Sequence, residues 1–208
     1  MTFNFKDDYI LENDAVRLEP LTMDHFEELI AFSKNEPELW SFNANGPDSP
    51  ENLKKYLTFA LKQRENEVEY PFAVFDKKSN QYAGSTRYYN IILEGKTLEI
   101  GFTWYGKQFQ GTQLNKNCKY LVLEFAFEKM YMERVGFRAN NLNYRSINAM
   151  KSIGCKEEGV LRSFRTDAFG NRIDAIVLSI LKNEWFGGVK EKLQEKIERF
   201  KVEKVEKK

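Results

Sequence analysis

The sequence predicts an α+β domain built on a mixed, mostly antiparallel sheet flanked by helices, and three observations carry that expectation. Strand-like and helix-like stretches follow one another as strand, two helices, three strands, helix, strand, helix and a final hairpin, without regular βαβ alternation. The three central strands are separated only by the turns KKSN and LEGK, so they form an antiparallel meander. No segment repeats and no interior stretch is of low complexity.

Each element has a local reason. VRLEPL (Val16 to Leu21) alternates like a short strand, and Thr22 follows as the expected N-cap of a helix whose apolar face is Phe26, Leu29, Ile30 and Phe32. NANGPDSP (Asn43 to Pro50) is a turn-rich break. Ser49 then caps a second helix with Pro50 at its first position and Leu53, Tyr56, Leu57 and Ala60 as its stripe. PFAVFD, NQYAGSTRYYNI and KTLEIGFTWY are the meander strands, and the next helix runs to about Lys129. ERVGFRA is a short strand, and NYRSINAMKSIG is a helix closed by Gly154. CKEEGVLRSFRTD and NRIDAIVLSIL form the closing hairpin around the turn AFG (Ala168 to Gly170). The organisation expected is therefore one domain over residues 11–186, followed at the Gly187–Gly188 hinge by a charged amphipathic tail, residues 187–208. Val189, Leu193, Ile197 and Phe200 share one face of that tail, with Glu195 and Arg199 as an i,i+4 pair.

Composition narrows the function classes. At 208 residues with 42% hydrophobic and 14% aromatic side chains, the chain can bury a real core. Lys and Arg number 32 against 31 Asp and Glu, a balance that supplies no broad basic field for nucleic acid or an anionic membrane surface. No stretch approaches the roughly 20 apolar residues of a membrane span, and MTFNFKDDYI does not read as a signal peptide, so the expectation is a cytoplasmic protein. Two cysteines without CxxC spacing and a single histidine, His25, give no metal-ligand set and no nucleophile–base pair.

The informative stretch is YGKQFQGTQLNKNCKYL (Tyr105 to Leu121), where a strand ends, a loop follows and a helix starts. The first amides of such a helix lack intrahelical partners and favour an anion. Gly111 permits close approach, Thr112, Asn115 and Lys116 add donors, and Lys107 adds a cation. Neither GxxxxGK[ST] nor GxGxxG is present, so the P-loop and Rossmann readings fail. Taken alone, the junction also reads as an ordinary loop.

Downstream patterns bear on that choice. QGT-x-L-N-K-x-x-K (Gln110 to Lys119), AFE (Ala126 to Glu128), RV (Arg134, Val135), N-x-x-S (Asn143 to Ser146), IG (Ile153, Gly154), EEG-x-LR (Glu157 to Arg162) and D-x-x-V-x-S-I-x-x-x-EW (Asp174 to Trp185) stand in order. Together they resemble the GNAT superfamily of acetyl-CoA-dependent N-acetyltransferases, and more narrowly its RimJ/RimL-type branch, over about Leu11 to Trp185. The resemblance implies an acyltransferase that moves acetyl from acetyl-CoA, without a metal, to a primary amine on a protein N-terminus or a small molecule. A strongly acidic acceptor cleft would point instead to polyamines or aminoglycosides. Homodimers are common among such enzymes, but nothing in this chain marks an interface.

The resemblance also implies where the site lies. The strand ending at Trp104 should splay from Arg134 to Arg138, with Phe102, Thr103 and Trp104 along the pantetheine arm. Gln110, Gly111, Thr112, Gln113, Leu114, Asn115 and Lys116 should cradle the pyrophosphate, and Asn143 should meet the cofactor from the other side. Two positions depart from the family pattern. Gln113 stands where glycine is typical, and Met150 stands where many members place a tyrosine that protonates the leaving thiolate. Ser146 becomes the candidate acid, with Tyr144 as the fallback, and Glu99 becomes the candidate base acting through water. The rival reading is a non-catalytic acyl-CoA-binding or regulatory domain, for which Gln113 and Met150 are the evidence.

Overall fold

The computed structural model describes residues 3–42, 46–167 and 170–205, and side chains through residue 199. The expected turn at Ala168–Phe169, the middle of the break at Asn43–Asn45 and the side chain of Phe200 lie outside the described residues.

The chain opens with a short hairpin, β1 (Leu11–Glu12) and β2 (Val16–Pro20). Asn13 shapes its turn by accepting from the amides of Ala15 and Val16 at 2.9 and 3.0 Å. Helix α1 (His25–Asn35) begins three residues past the expected cap at Thr22. The Thr22 amide donates instead to His25 Nδ1 at 3.0 Å, while His25 Nε2 meets Glu19 Oε1 at 3.1 Å. His25 is thus a buried residue satisfied within the fold. Helix α2 (Pro50–Glu65) starts as the sequence predicts, with the Asn52 amide donating to Ser49 Oγ at 3.2 Å. Leu53, Leu57 and Ala60 are buried on its inner face.

The meander follows as β3 (Tyr70–Asp76), β4 (Gln81–Ile92) and β5 (Thr97–Tyr105). Helix α3 (Leu114–Glu124) continues through one wider turn to Lys129. Then come β6 (Arg134–Asn140), α4 (Tyr144–Ser152), β7 (Lys156–Thr166) and β8 (Arg172–Leu181). The short α5 (Lys182–Glu184) leads to a break at Gly187–Gly188, where Gly188 takes φ +121°, and to α6 (Lys190–Val205). Leu193 and Ile197 of α6 are buried in the main core. Among the described residues, no helix is long and apolar enough to cross a membrane.

The eight strands form one sheet in the order β1-β2-β3-β4-β5-β6-β8-β7. Every pairing is antiparallel except β5 with β6, which run parallel. That pairing lasts for three residues, Thr97↔Arg134, Leu98↔Val135 and Glu99↔Gly136, and then the strands part, giving the expected splay. On its other edge β5 carries an extra residue, because Gly101 faces Arg87 while Trp104 faces Ser85. This bulge places Phe102 at φ +49°, left-handed backbone that a bulky residue adopts only where its surroundings impose it.

Candidate active site

Past Glu99, the edge of β5 that faces β6 has no ladder partner, so its backbone groups open on a cleft of about 440 Å³. The cleft runs between the diverging strands, with the loop before α3 at one end and the N-terminus of α4 on the opposite wall.

The bulge is held from several sides. The Phe102 ring lies over the Arg87 guanidinium at 4.3 Å and meets the Tyr89 ring edge-on at 5.2 Å. Its carbonyl accepts from the Tyr56 hydroxyl at 3.3 Å. Trp104 is buried between Trp40 and Phe32 while still lining the cleft. Thr103 turns its hydroxyl toward Thr86 Oγ1 at 2.8 Å and receives Lys119 Nζ at 2.7 Å.

The loop before α3 is built to leave amides free. Thr112 locks the turn by donating to the Phe109 carbonyl at 2.6 Å and accepting from the Leu114 amide at 3.2 Å. The Gln110 amide donates to the Lys107 carbonyl and that of Asn117 to the Gln113 carbonyl. Among the described residues, no hydrogen bond engages the amides of Gly111, Thr112, Gln113, Asn115 or Lys116. Five unpaired donors at a helix N-terminus are an arrangement that favours an anion, the geometry a phosphate cradle needs. Gly111 carries the left-handed turn at φ +68°, with no atom within 4 Å of where a Cβ would stand. Gln113 has ordinary dihedrals, φ −77° and ψ −8°, and its side chain points away toward α6, donating to the Lys196 carbonyl at 3.3 Å. The glutamine at the usual glycine position therefore carries no backbone strain and does not fill the cradle. The Leu114 side chain is buried in the core, and Asn115 lines the cleft, whereas the Lys116 side chain does not.

On the opposite wall Asn143 caps α4, its Oδ1 accepting from the Ser146 amide at 3.1 Å. The capping role thus falls to Asn143 and leaves the Ser146 hydroxyl without a hydrogen bond among the described residues, at the cleft wall. Met150 lines the same wall, while Tyr144 is exposed and lies outside the cleft. Gln110 spans the mouth, donating to the Tyr105 carbonyl at 2.9 Å and accepting from Arg145 of α4.

Glu99 sits at the base of the splay, and its side chain is 15% exposed. Its carboxylate accepts from the Tyr89 hydroxyl at 2.8 Å and from Asn90 at 3.1 Å, and pairs with Arg138 across the gap. It does not line the cleft directly, whereas Tyr89 does. Burial, reinforced by the Glu99 charge, raises the Tyr89 pKa, so this hydroxyl keeps its proton. Tyr89, Lys119, Arg138, Arg145 and Arg165 also line the cleft, and the sequence alone assigns none of them a role there. Only a three-dimensional register brings Tyr89 opposite Glu99, and a lysine beside Cys118 carries no local signal of burial. Among the described residues, no carboxylate lines the cleft, and no cluster of three or more His, Cys, Asp or Glu side chains is arranged to hold a metal ion.

Residues 15–156 match the family model of the acetyltransferase (GNAT) domain. A Bacillus subtilis (strain 168) protein described as "Putative ribosomal N-acetyltransferase YdaF" is 26% identical over 179 residues, 85% of this chain and 95% of its own length. A GCN5-related N-acetyltransferase from Brucella melitensis superposes with a TM-score of 0.84 at 25% identity, covering 93% of this chain and 87% of that one. Mycobacterium smegmatis RimJ, solved in complex with CoA-disulfide, shares the fold at 14% identity with a TM-score of 0.74, over 89% of this chain and 92% of that one.

Proposed function

Because the chain belongs to the GNAT family of acetyltransferases, we propose that it transfers acetyl from acetyl-CoA to a primary amine by direct attack. The observation that carries the reading is the continuity of the β5–β6 splay with the free amides before α3, a groove for an extended chain that ends in a cradle for phosphates. Gly111, Asn115 and the neighbouring amides would hold the pyrophosphate, with Arg145 and Gln110 at the mouth. Asn143 and the open edge of Phe102–Trp104 would flank the pantetheine. Bound there, acetyl-CoA supplies an acyl group activated as a thioester.

In this reading the chain's own groups divide the chemistry. A backbone amide near Thr103 or Trp104 serves as oxyanion donor. Ser146 donates to the departing sulfur. Glu99 receives the amine's proton, either through the Tyr89 hydroxyl, which already donates to it at 2.8 Å, or through water. The acceptor is a protein N-terminus or a small amine, and the likeness to YdaF supports the first. The cleft is lined by Lys119, Arg138, Arg145 and Arg165 without a described carboxylate, which disfavours polycationic acceptors such as polyamines.

The test is thermal unfolding with and without acetyl-CoA, then thiol release against an acidic-start peptide, a neutral-start peptide and spermidine. A ligand at 100 times its Kd adds about 2.7 kcal/mol to the native state. Stabilisation with release on the peptides is expected. Stabilisation without release from any acceptor would replace this reading with a non-catalytic acyl-CoA-binding domain.

A further inference from the structure

Lys119 is a buried lysine that has no carboxylate partner among the described residues. Among them its Nζ meets only hydroxyls, Thr103 Oγ1 at 2.7 Å and Thr86 Oγ1 at 3.2 Å. The titratable groups facing it are the thiols of Cys118, on its own helix, and Cys155, which precedes β7. Burial pushes the Cys118 thiol up to about 12 and the Cys155 thiol up as well, so both stay neutral and neither offers a counter-charge. Burial in turn pulls the Lys119 ammonium down to about 8, so at neutral pH it remains mostly charged.

An unpaired buried charge costs free energy that folds normally avoid. Here the charge lies on the wall of the cleft and tethers Thr103, a residue of the bulge on the open edge of β5. It lies one helical turn past Asn115 of the cradle, and no ion pair compensates it among the described residues. Such an arrangement is completed by an anion that forms in the cleft during turnover. In acyl transfer from a thioester, the C–S bond breaks with its electron pair left on sulfur, and that sulfur is the anion released.

We propose that Lys119 is a positioning residue for the leaving group: through Thr103 it holds a fixed positive charge beside the acyl end of the cleft, stabilising the thiolate of coenzyme A. The geometry also accounts for the hydroxyls. Lys119 donates to both threonines, and Thr86 is free to donate to Thr103. The Thr103 hydroxyl in turn donates to the Gly101 carbonyl at 3.4 Å, so the network ends on the strand that lines the cleft. This inference rests on the coenzyme A reading of the site. It adds a charge to the Ser146 hydrogen bond and does not replace it.

The experiment titrates the thiol of coenzyme A bound to the protein, read by thiolate ultraviolet absorbance, in the natural chain and in Lys119→Met. An ordinary thiol titrates at about 8.5. The natural chain should lower that midpoint, and Lys119→Met should return it upward by about one pH unit while still binding coenzyme A. The kcat for acetyl transfer should fall with the KM for acetyl-CoA little changed. Equal midpoints in two folded, coenzyme-binding proteins would overturn the assignment, since a purely structural lysine leaves the thiol titration alone. If Lys119→Met does not fold, Thr103→Val decides on the same readout. Failure of the natural chain to bind coenzyme A at all would overturn both this inference and the reading beneath it.

Discussion

Gly111 turns the loop before α3 at φ +68°, and no neighbouring atom would touch a Cβ there. What glycine supplies is backbone freedom, so Gly111→Ala should cost about 1 kcal/mol and weaken coenzyme A binding, because alanine draws the loop out of the left-handed region. Gln113→Gly, at a residue with helical dihedrals whose side chain turns to Lys196, should leave that affinity unchanged. Calorimetric titration of both variants separates the two roles. A large loss for Gln113→Gly, or none for Gly111→Ala, would show that the cradle is built otherwise. This pair also marks how far residue-level reading went. The sequence displays a glycine and a glutamine four positions into a recognisable loop, but which of them bears the positive φ depends on how Thr112 bridges Phe109 and Leu114. Lys119 was illegible for a different reason. Helix α3 is buried on several faces at once, so a lysine within it breaks no simple apolar stripe.

At the level of elements, helix starts were legible where a side chain writes them locally. Ser49 with Pro50 opens α2 as its chemistry dictates, whereas the Thr22 amide is taken by His25, three residues on, whose ring is held by Glu19 and packs on Tyr82. At α4 the cap is Asn143, and the helix then presents Ser146 one turn in with its hydroxyl unengaged. Ser146→Ala should therefore leave stability almost unchanged while lowering kcat on the order of 10²-fold, the scale of a lost acid in proton transfer. Turnover and urea unfolding measured together check it. Undiminished turnover across pH would remove Ser146 from the chemistry, and a large loss of stability would return it to a structural role. The tail helix α6 was legible as an amphipathic face but not in its destination. Its Leu193 joins the core, and Lys190 pairs with Glu124 and Glu128 beyond the Gly187–Gly188 break.

On the scale of the molecule, the order of elements alone was enough to anticipate an α+β sheet, because strand–turn–strand spacing fixes a meander without reference to distant contacts. The splay was accessible only through family resemblance, since nothing in the alternation of β5 or β6 says where two neighbouring strands cease to pair. The bulge at Phe102 was likewise hidden, being set by Arg87, Tyr89 and Tyr56 from elsewhere in the chain. That three-residue parallel contact has a mechanical meaning. It is a narrow isthmus joining a five-stranded plate, β1 to β5, to a three-stranded one, with the Glu99–Arg138 pair as a side-chain rivet across the gap. A joint that short lets the plates flex against each other, and a molecule wedged between them acts as a strut. Within residues 100–105 and 137–140, the amides that face the open gap, not β4 or β8, should then exchange fast in the free protein and slow sharply when coenzyme A is added, while β2 and β3 stay unaffected. Equal exchange in both states would mean that the isthmus is already rigid, and that the cleft receives its ligand as a fixed mould.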